Sequence, residues 1–202
     1  MASRIGLFGG TFDPPHVGHL ILASEARYQL ALTRMLWVPA ADPPHKTGDV
    51  ITPLEQRLDM LQLAVAGDET FEISRLDIDR PGPHYTLDTL RAARAAFPGS
   101  QIILVIGGDS LRDLPAWHQP AEVVGACDEI GVMRRPRDEI DLTSLEHLLP
   151  GLSVKLHFVD APLLDIASSE IRQRVSRQLP FKYYVPQAVH DYIIARGLYR
   201  SS

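Results

Sequence analysis

The sequence predicts an α/β protein built on a doubly wound parallel sheet with helices on both faces, completed by a small helical part from about residue 168 onward. Three observations predict it. Short apolar runs alternate with stretches of helical periodicity, the pattern of a parallel sheet whose crossovers are helices. The run Ile102-Ile103-Leu104-Val105-Ile106 is apolar at every position, as a mid-sheet strand buried on both faces must be. The first run, Ile5-Gly6-Leu7-Phe8, leads directly into a turn rich in glycine and proline and then into a helix.

Strands are expected at 5–8, 35–38, 71–74, 101–106, 129–133 and 154–158. The first helix, 17–32, is read from Leu20, Leu22, Ala23, Ala26 and Leu30, whose spacing keeps one face buried. The second, 53–66, is announced by Thr52 as N-cap, Pro53 at the first helical position and Glu55 three residues after the cap. A third runs over 86–97 and is ended by Pro98-Gly99, a fourth covers 168–177, and the last runs over 186–197, where Gly197 stops it. Two loops stand out. The stretch 39–51 holds Pro39, Pro43, Pro44 and Gly48 and carries His45 and Lys46, the composition of a lid or a solvated connector. Pro81-Gly82-Pro83-His84 is a rigid turn into Tyr85-Thr86. Both loops follow strands at the sheet edge where open α/β folds bind ligands.

Composition narrows the function. A chain of 202 residues suits one unit spanning 1–202. A formal charge of −5 leaves no general basic footprint, so nucleic acid is not the expected partner and a polyphosphate must be held by a local cluster. No apolar run approaches the roughly 20 residues of a membrane span, and no leader pattern opens the chain. The expected compartment is the cytoplasm. Cys127 is the single cysteine, which excludes a disulfide framework and fits a packing role. No motif assigns an oligomeric state.

The chemistry concentrates in Gly9-Gly10-Thr11-Phe12-Asp13-Pro14-Pro15-His16-Val17-Gly18-His19. Residues three apart share a helix face, so His16 and His19 can point together over the first turn, where backbone N–H groups are unsatisfied and the dipole end is positive. That is a site for an anion. Glycines at 9, 10 and 18 let a bulky ligand approach the backbone. Neither G-x-G-x-x-G nor G-x-x-x-x-G-K-[ST] occurs, which argues against a dinucleotide turn or a P-loop. A zinc site on the two histidines lacks an HExxH pattern and cysteine ligands.

This segment resembles the G-x-F-x-P-x-H-x-G-H signature of the nucleotidyltransferase superfamily with the [HT]-x-G-H motif, and Ser169-Glu170-Ile171-Arg172 resembles its second signature, [ST]-x-I-R. Three further features resemble the bacterial nicotinate-nucleotide adenylyltransferase family: Pro43-Pro44-His45-Lys46, the Tyr85-Thr86 pair, and Ile106-Gly107-Gly108-Asp109-Ser110-Leu111 followed by Trp117. The likeness runs to Gly197-Leu198-Tyr199-Arg200. It implies a Rossmann-like fold and transfer of the adenylyl group of ATP to nicotinate mononucleotide, with magnesium arriving as Mg-ATP and no protein metal ligands.

The resemblance assigns His16, His19 and Arg172 to catalysis at the phosphates. It adds Gly9, Gly10, Thr11, Phe12, Gly18, Gly107, Asp109, Arg135 and Ser169 on ATP, and Lys46, Thr86, Asp109, Trp117 and His118 on the acceptor. Alternatives stand beside several of these. Arg134 competes with Arg135, Asp109 equally fits the cap of a short helix, Thr86 equally fits an N-cap, and Trp117 equally fits the core. Ala167 departs from the family's I-S-S-T pattern, and Ser169 stands where threonine is common. Two other functions compete: a pantetheine-phosphate type of transferase, and a nucleotide-binding sensor without catalysis.

Overall fold

In the computed structural model, residues 2–41, 51–133, 140–162 and 164–200 are described. The strands are β1 (Arg4–Gly10), β2 (Arg34–Pro39), β3 (Phe71–Ile73), β4 (Gln101–Gly107), β5 (Glu129–Met133) and β6 (Leu156–Val159). All pairings are parallel, in the order β3-β2-β1-β4-β5-β6. The chain therefore winds outward from β1 to β3, returns to the middle at β4 and winds outward the other way. The reversal lies between β1 and β4, and the crevice above that point is where such sheets bind ligands.

The uninterrupted apolar run of β4 divides between two cores because alternate side chains leave a strand on opposite faces. Ile102, Leu104 and Ile106 join Ile5 and Leu7 on one face, where α3 (Thr86–Ala96) and α5 (Pro120–Ala126) cover them with Leu90 and Val123. Ile103 and Val105 join Phe8 and Trp37 on the other, under Leu22, Ala23 and Ala26 of α1 (Val17–Gln29). A third cluster packs α2 (Leu54–Val65) against α7 (Ser168–Ser176) and α8 (Gln187–Arg196) through Met60, Ala64, Ile171, Val175, Val189 and Ile193. Neighbouring Leu61 and Val65 enter the sheet core instead. This places α2 between two apolar surfaces and fastens the C-terminal helices beside the crevice.

The expected elements form, with local differences. The helix expected over 17–32 stops at Gln29, since Ala31 turns the backbone left-handed at φ 49, although Leu30 and Leu32 remain buried. Thr52 does not cap α2. The N-cap is Pro53, without a side-chain cap, and the Thr52 N–H is taken by Asp13. Thr86 is likewise not the cap of α3, because Tyr85 occupies that position. The last strand begins two residues late, after a 3-10 turn over Ser153–Lys155. The short helices α5 and α6 (Leu142–Leu148) are too brief for periodicity to announce them.

Candidate active site

A cavity of about 930 Å³ opens at the carboxyl ends of β1, β2 and β4, within the range of small-molecule sites. It brings together Gly9, Gly10, Thr11 and Gly107 from the strand ends, Thr86 from the start of α3, and Trp117 and His118 from the segment before α5. A Cβ on Gly9 or Gly107 would meet no atom within 4 Å, so both leave space for a ligand. Gly10 and Gly18 have a packing reason to be glycine. A Cβ on Gly10 would stand 2.9 Å from the Phe12 ring, and one on Gly18 would stand 3.1 Å from His16 Nδ1. Phe12 itself is buried at 2% exposure, so it presents backbone rather than side chain to the site.

His16 and His19 lie beside this cavity and cap α1 reciprocally. The His19 N–H donates to His16 Nδ1 at 3.3 Å, the His16 N–H donates to His19 Nδ1 at 3.2 Å, and the rings stack with centroids 3.6 Å apart. A ring nitrogen that accepts a backbone N–H carries no proton, so in each neutral ring the proton sits on Nε2. The pair thus carries two Nε2–H groups at the amino end of a helix whose first turn contains no acidic residue, with His16 4% exposed and neither ring among the residues that line the cavity. Phe12 packs edge-on against His19 with centroids 5.1 Å apart and limits its rotation.

The amino end of α7 abuts the same turn. Ser168 Oγ donates to the Pro14 carbonyl at 2.8 Å, and Arg172 Nη1 donates to the Asp13 carbonyl at 2.8 Å. Arg172 therefore sits with the histidine turn, while Ser169 is exposed in the first turn of α7. The departure at Ala167 has a structural consequence: it is the N-cap of α7 and makes no side-chain cap bond. Two helix amino ends converge here, that of α1 without an acidic residue in its first turn and that of α7 with Glu170, and their free N–H groups suit an anion.

The opposite wall of the cavity rests on Asp77, 6% exposed. Its Oδ1 accepts from Arg80 at 2.8 Å and from the Thr89 hydroxyl at 2.9 Å, and its Oδ2 accepts the Ala41 N–H at 3.2 Å. This joins the end of β2 to α3 and fixes Tyr85 and Thr86. Tyr85 stacks on His118 with centroids 4.0 Å apart. Trp117 both lines the cavity and packs on the core, so its two readings combine. Asp109 is exposed and pairs with Arg112 at 2.9 Å, and Gly107 rather than Asp109 caps the short α4 (Gly108–Asp113). Lys46, Arg134 and Arg135 lie outside the described residues. No cluster of three or more His, Cys, Asp or Glu able to hold a metal ion occurs among the described residues, nor does any described helix have the length and apolarity to cross a membrane.

A cytidylyltransferase-like family model matches residues 7–174. A relative from Thermomicrobium roseum, named "Probable nicotinate-nucleotide adenylyltransferase", is 45% identical over 98% of this chain and 92% of its own length. One of the same name from Thermus thermophilus is 42% identical over 98% of this chain and all of its own. The chain belongs to the nicotinate-nucleotide adenylyltransferase family. It is accordingly an enzyme of the nucleotidyltransferase class, in a family that uses ATP. The fold also matches a Plasmodium falciparum nicotinic acid mononucleotide adenylyltransferase solved with NaAD. The TM-score is 0.81 at 20% identity, over 98% of this chain and 97% of that one.

Several residues that build the site in this adenylyltransferase escaped the sequence reading. Asp13 lies inside the signature and is 2% exposed. Its Oδ1 accepts the Tyr199 hydroxyl at 2.6 Å and its Oδ2 accepts the Thr52 N–H at 3.2 Å. Arg57, also 2% exposed, donates to the carbonyls of Thr11 and Ala40 at 2.9 Å and of Thr52 at 3.0 Å. Burial pulls its guanidinium below the ordinary value, and the Asp13 charge pushes it back. A signal for Arg57 existed: it occupies the inward stripe of α2 with Met60, Leu61 and Ala64, where a charge must have a purpose. Burial, reinforced by Asp13, raises the Tyr199 phenol above its ordinary range and keeps it a donor. Cys127, by contrast, is buried and pushed up to about 11, so its thiol is inert.

Proposed function

We propose that this enzyme transfers the adenylyl group of Mg-ATP to the 5′-phosphate of nicotinate mononucleotide, giving nicotinate adenine dinucleotide and pyrophosphate, a step of NAD biosynthesis. The observation that carries the reading is the reciprocal His16–His19 cap, which commits both rings to donating through Nε2 beside a cavity of nucleotide size.

The acceptor phosphate is already anionic at neutral pH, since its second pKa is about 6, so no general base is needed. One of its oxygens forms a bond to the α-phosphorus of ATP as the bond from that phosphorus to the bridging oxygen breaks. The electron pair leaves with pyrophosphate. Catalysis is then alignment of two polyanions and neutralisation of charge on the leaving group. His16, His19 and Arg172 supply donors at the phosphates, aided by the amino ends of α1 and α7 and by Ser169. Magnesium would arrive as part of the Mg-ATP substrate and would supply positive charge against the phosphates. Gly9, Gly107 and Asp109 face the nucleoside, with Arg135 as a further cationic contact on ATP and Lys46 as one on the acceptor.

On the opposite wall, Trp117 offers a flat face to the cationic pyridine ring. Thr86 and the backbone amides near Trp117 and His118 donate to the nicotinate carboxylate. An amide in its place leaves donors facing donors, a penalty of about 1–3 kcal/mol each. The lone buried thiol fits work in the cytoplasm.

Pyrophosphate release from Mg-ATP tests this, with nicotinate mononucleotide, nicotinamide mononucleotide and phosphopantetheine as parallel acceptors. Fast release with the nicotinate form alone is expected. Release only with another acceptor overturns the substrate, and release with none overturns the catalytic reading in favour of a sensor.

A further inference from the structure

The turn between β1 and α1 hands its carbonyl oxygens to side chains from distant elements. Thr11 is held by Arg57 of α2, Asp13 by Arg172 of α7, and Pro14 by Ser168. A buried carbonyl must find a donor, and here the donors decide where the turn lies. Asp13 is the centre of the arrangement. Its backbone carbonyl holds Arg172, while its carboxylate is gripped at one oxygen by the Thr52 N–H and at the other by the Tyr199 hydroxyl. Thr52 is fastened in turn, through its carbonyl, to Arg57. Tyr199 comes from the last turn of the chain, after α8 has ended at the left-handed Gly197, and its ring packs on the third cluster.

We propose that Tyr199 is a positioning residue for the phosphate-binding turn, acting through Asp13. A carboxylate bonded at both oxygens from different directions cannot swing about its Cβ–Cγ bond. Without the phenol, Oδ1 is a buried anionic oxygen lacking its charge-assisted partner, and it rotates toward the remaining donors, Thr52 and Arg57. The Asp13 peptide moves with it. That displaces Arg172 through the Asp13 carbonyl and, three residues along, the His16 cap. Among the described residues Tyr199 bonds to Asp13 and Met60 and to none on the acceptor side, so the effect belongs to the ATP half of the site.

The inference rests on the assignment of this turn to ATP phosphates, and the experiment separates the two. Steady-state kinetics are measured for Tyr199→Phe and His19→Ala beside the unmodified enzyme, varying ATP and the acceptor mononucleotide separately. Tyr199→Phe keeps the ring and its packing and removes only the hydroxyl. The expected result is a fall of about tenfold in kcat/KM for ATP, the scale of one bond to a buried charge, with KM for the acceptor unchanged. A merely structural Tyr199 lowers the melting temperature and leaves the ATP constants alone, which overturns the inference. If His19→Ala keeps full activity, the phosphate assignment itself fails. Should Tyr199→Phe not fold, Asp13→Asn decides, since its amide sets a donor against one of the two donors. The same ATP-specific loss supports the inference, and unchanged ATP constants overturn it.

Discussion

The two walls of the cavity are built differently. At the carboxyl end of β1 the turn from Thr11 to His19 runs beside the cavity, and side chains from α2, α7 and Tyr199 hold its backbone in place. On the opposite wall, Thr86, Trp117 and His118 come from separate segments, and buried Asp77 ties α3, which carries Thr86, to the end of β2. The β1–α1 turn thus depends on a fixed backbone and the opposite wall on half-buried and exposed side-chain surfaces. Damage to the first should disturb catalysis or folding, whereas damage to the second should disturb recognition.

The largest effect is expected at His19. His19→Ala removes a donor to the developing charge and half of the cap, and kcat should fall by about 10²–10³, the cost of losing one preorganised donor. A single-turnover assay with saturating Mg-ATP checks it, and a loss confined to KM contradicts the wall's assigned role. Arg57→Met should strike folding, since the carbonyls of Thr11, Ala40 and Thr52 lose their buried donor and Asp13 loses the Arg57 charge. Denaturant unfolding should show a loss of about 3 kcal/mol. Trp117→Ala sharpens the contrast: KM for the acceptor should rise roughly tenfold, the scale of an aromatic contact with a cationic ring, while KM for ATP stays put. The smallest effect is expected at Ala167→Ser, which gives α7 the cap it lacks and should add about 1 kcal/mol in a melt without ligand.

The sheet was legible because its strands are short apolar runs set between helical stretches and turn residues, and each expected run formed a strand within two residues of its place. The histidine turn was legible because its residues are neighbours in sequence. Asp77, Arg57 and Tyr199 were not, since their work depends on partners 36, 46 and 186 residues away. No local pattern registers such pairings. Thr52 shows the same limit in reverse: it has the residue type and spacing of a cap, yet its N–H serves Asp13 across the fold.

The reciprocal cap also explains the choice of side chain at positions 16 and 19. Lysine and arginine donate to phosphate but cannot accept a backbone N–H, and aspartate accepts but repels the anion. Imidazole carries an acceptor on one edge of a rigid ring and a donor on the other, so one residue can close the helix behind it and face the ligand ahead. Each ring also secures the peptide of its partner, so neither position can change alone without loosening the other. A replacement at either site must therefore keep both abilities, as the threonine that the [HT]-x-G-H motif admits at the first position can through its hydroxyl.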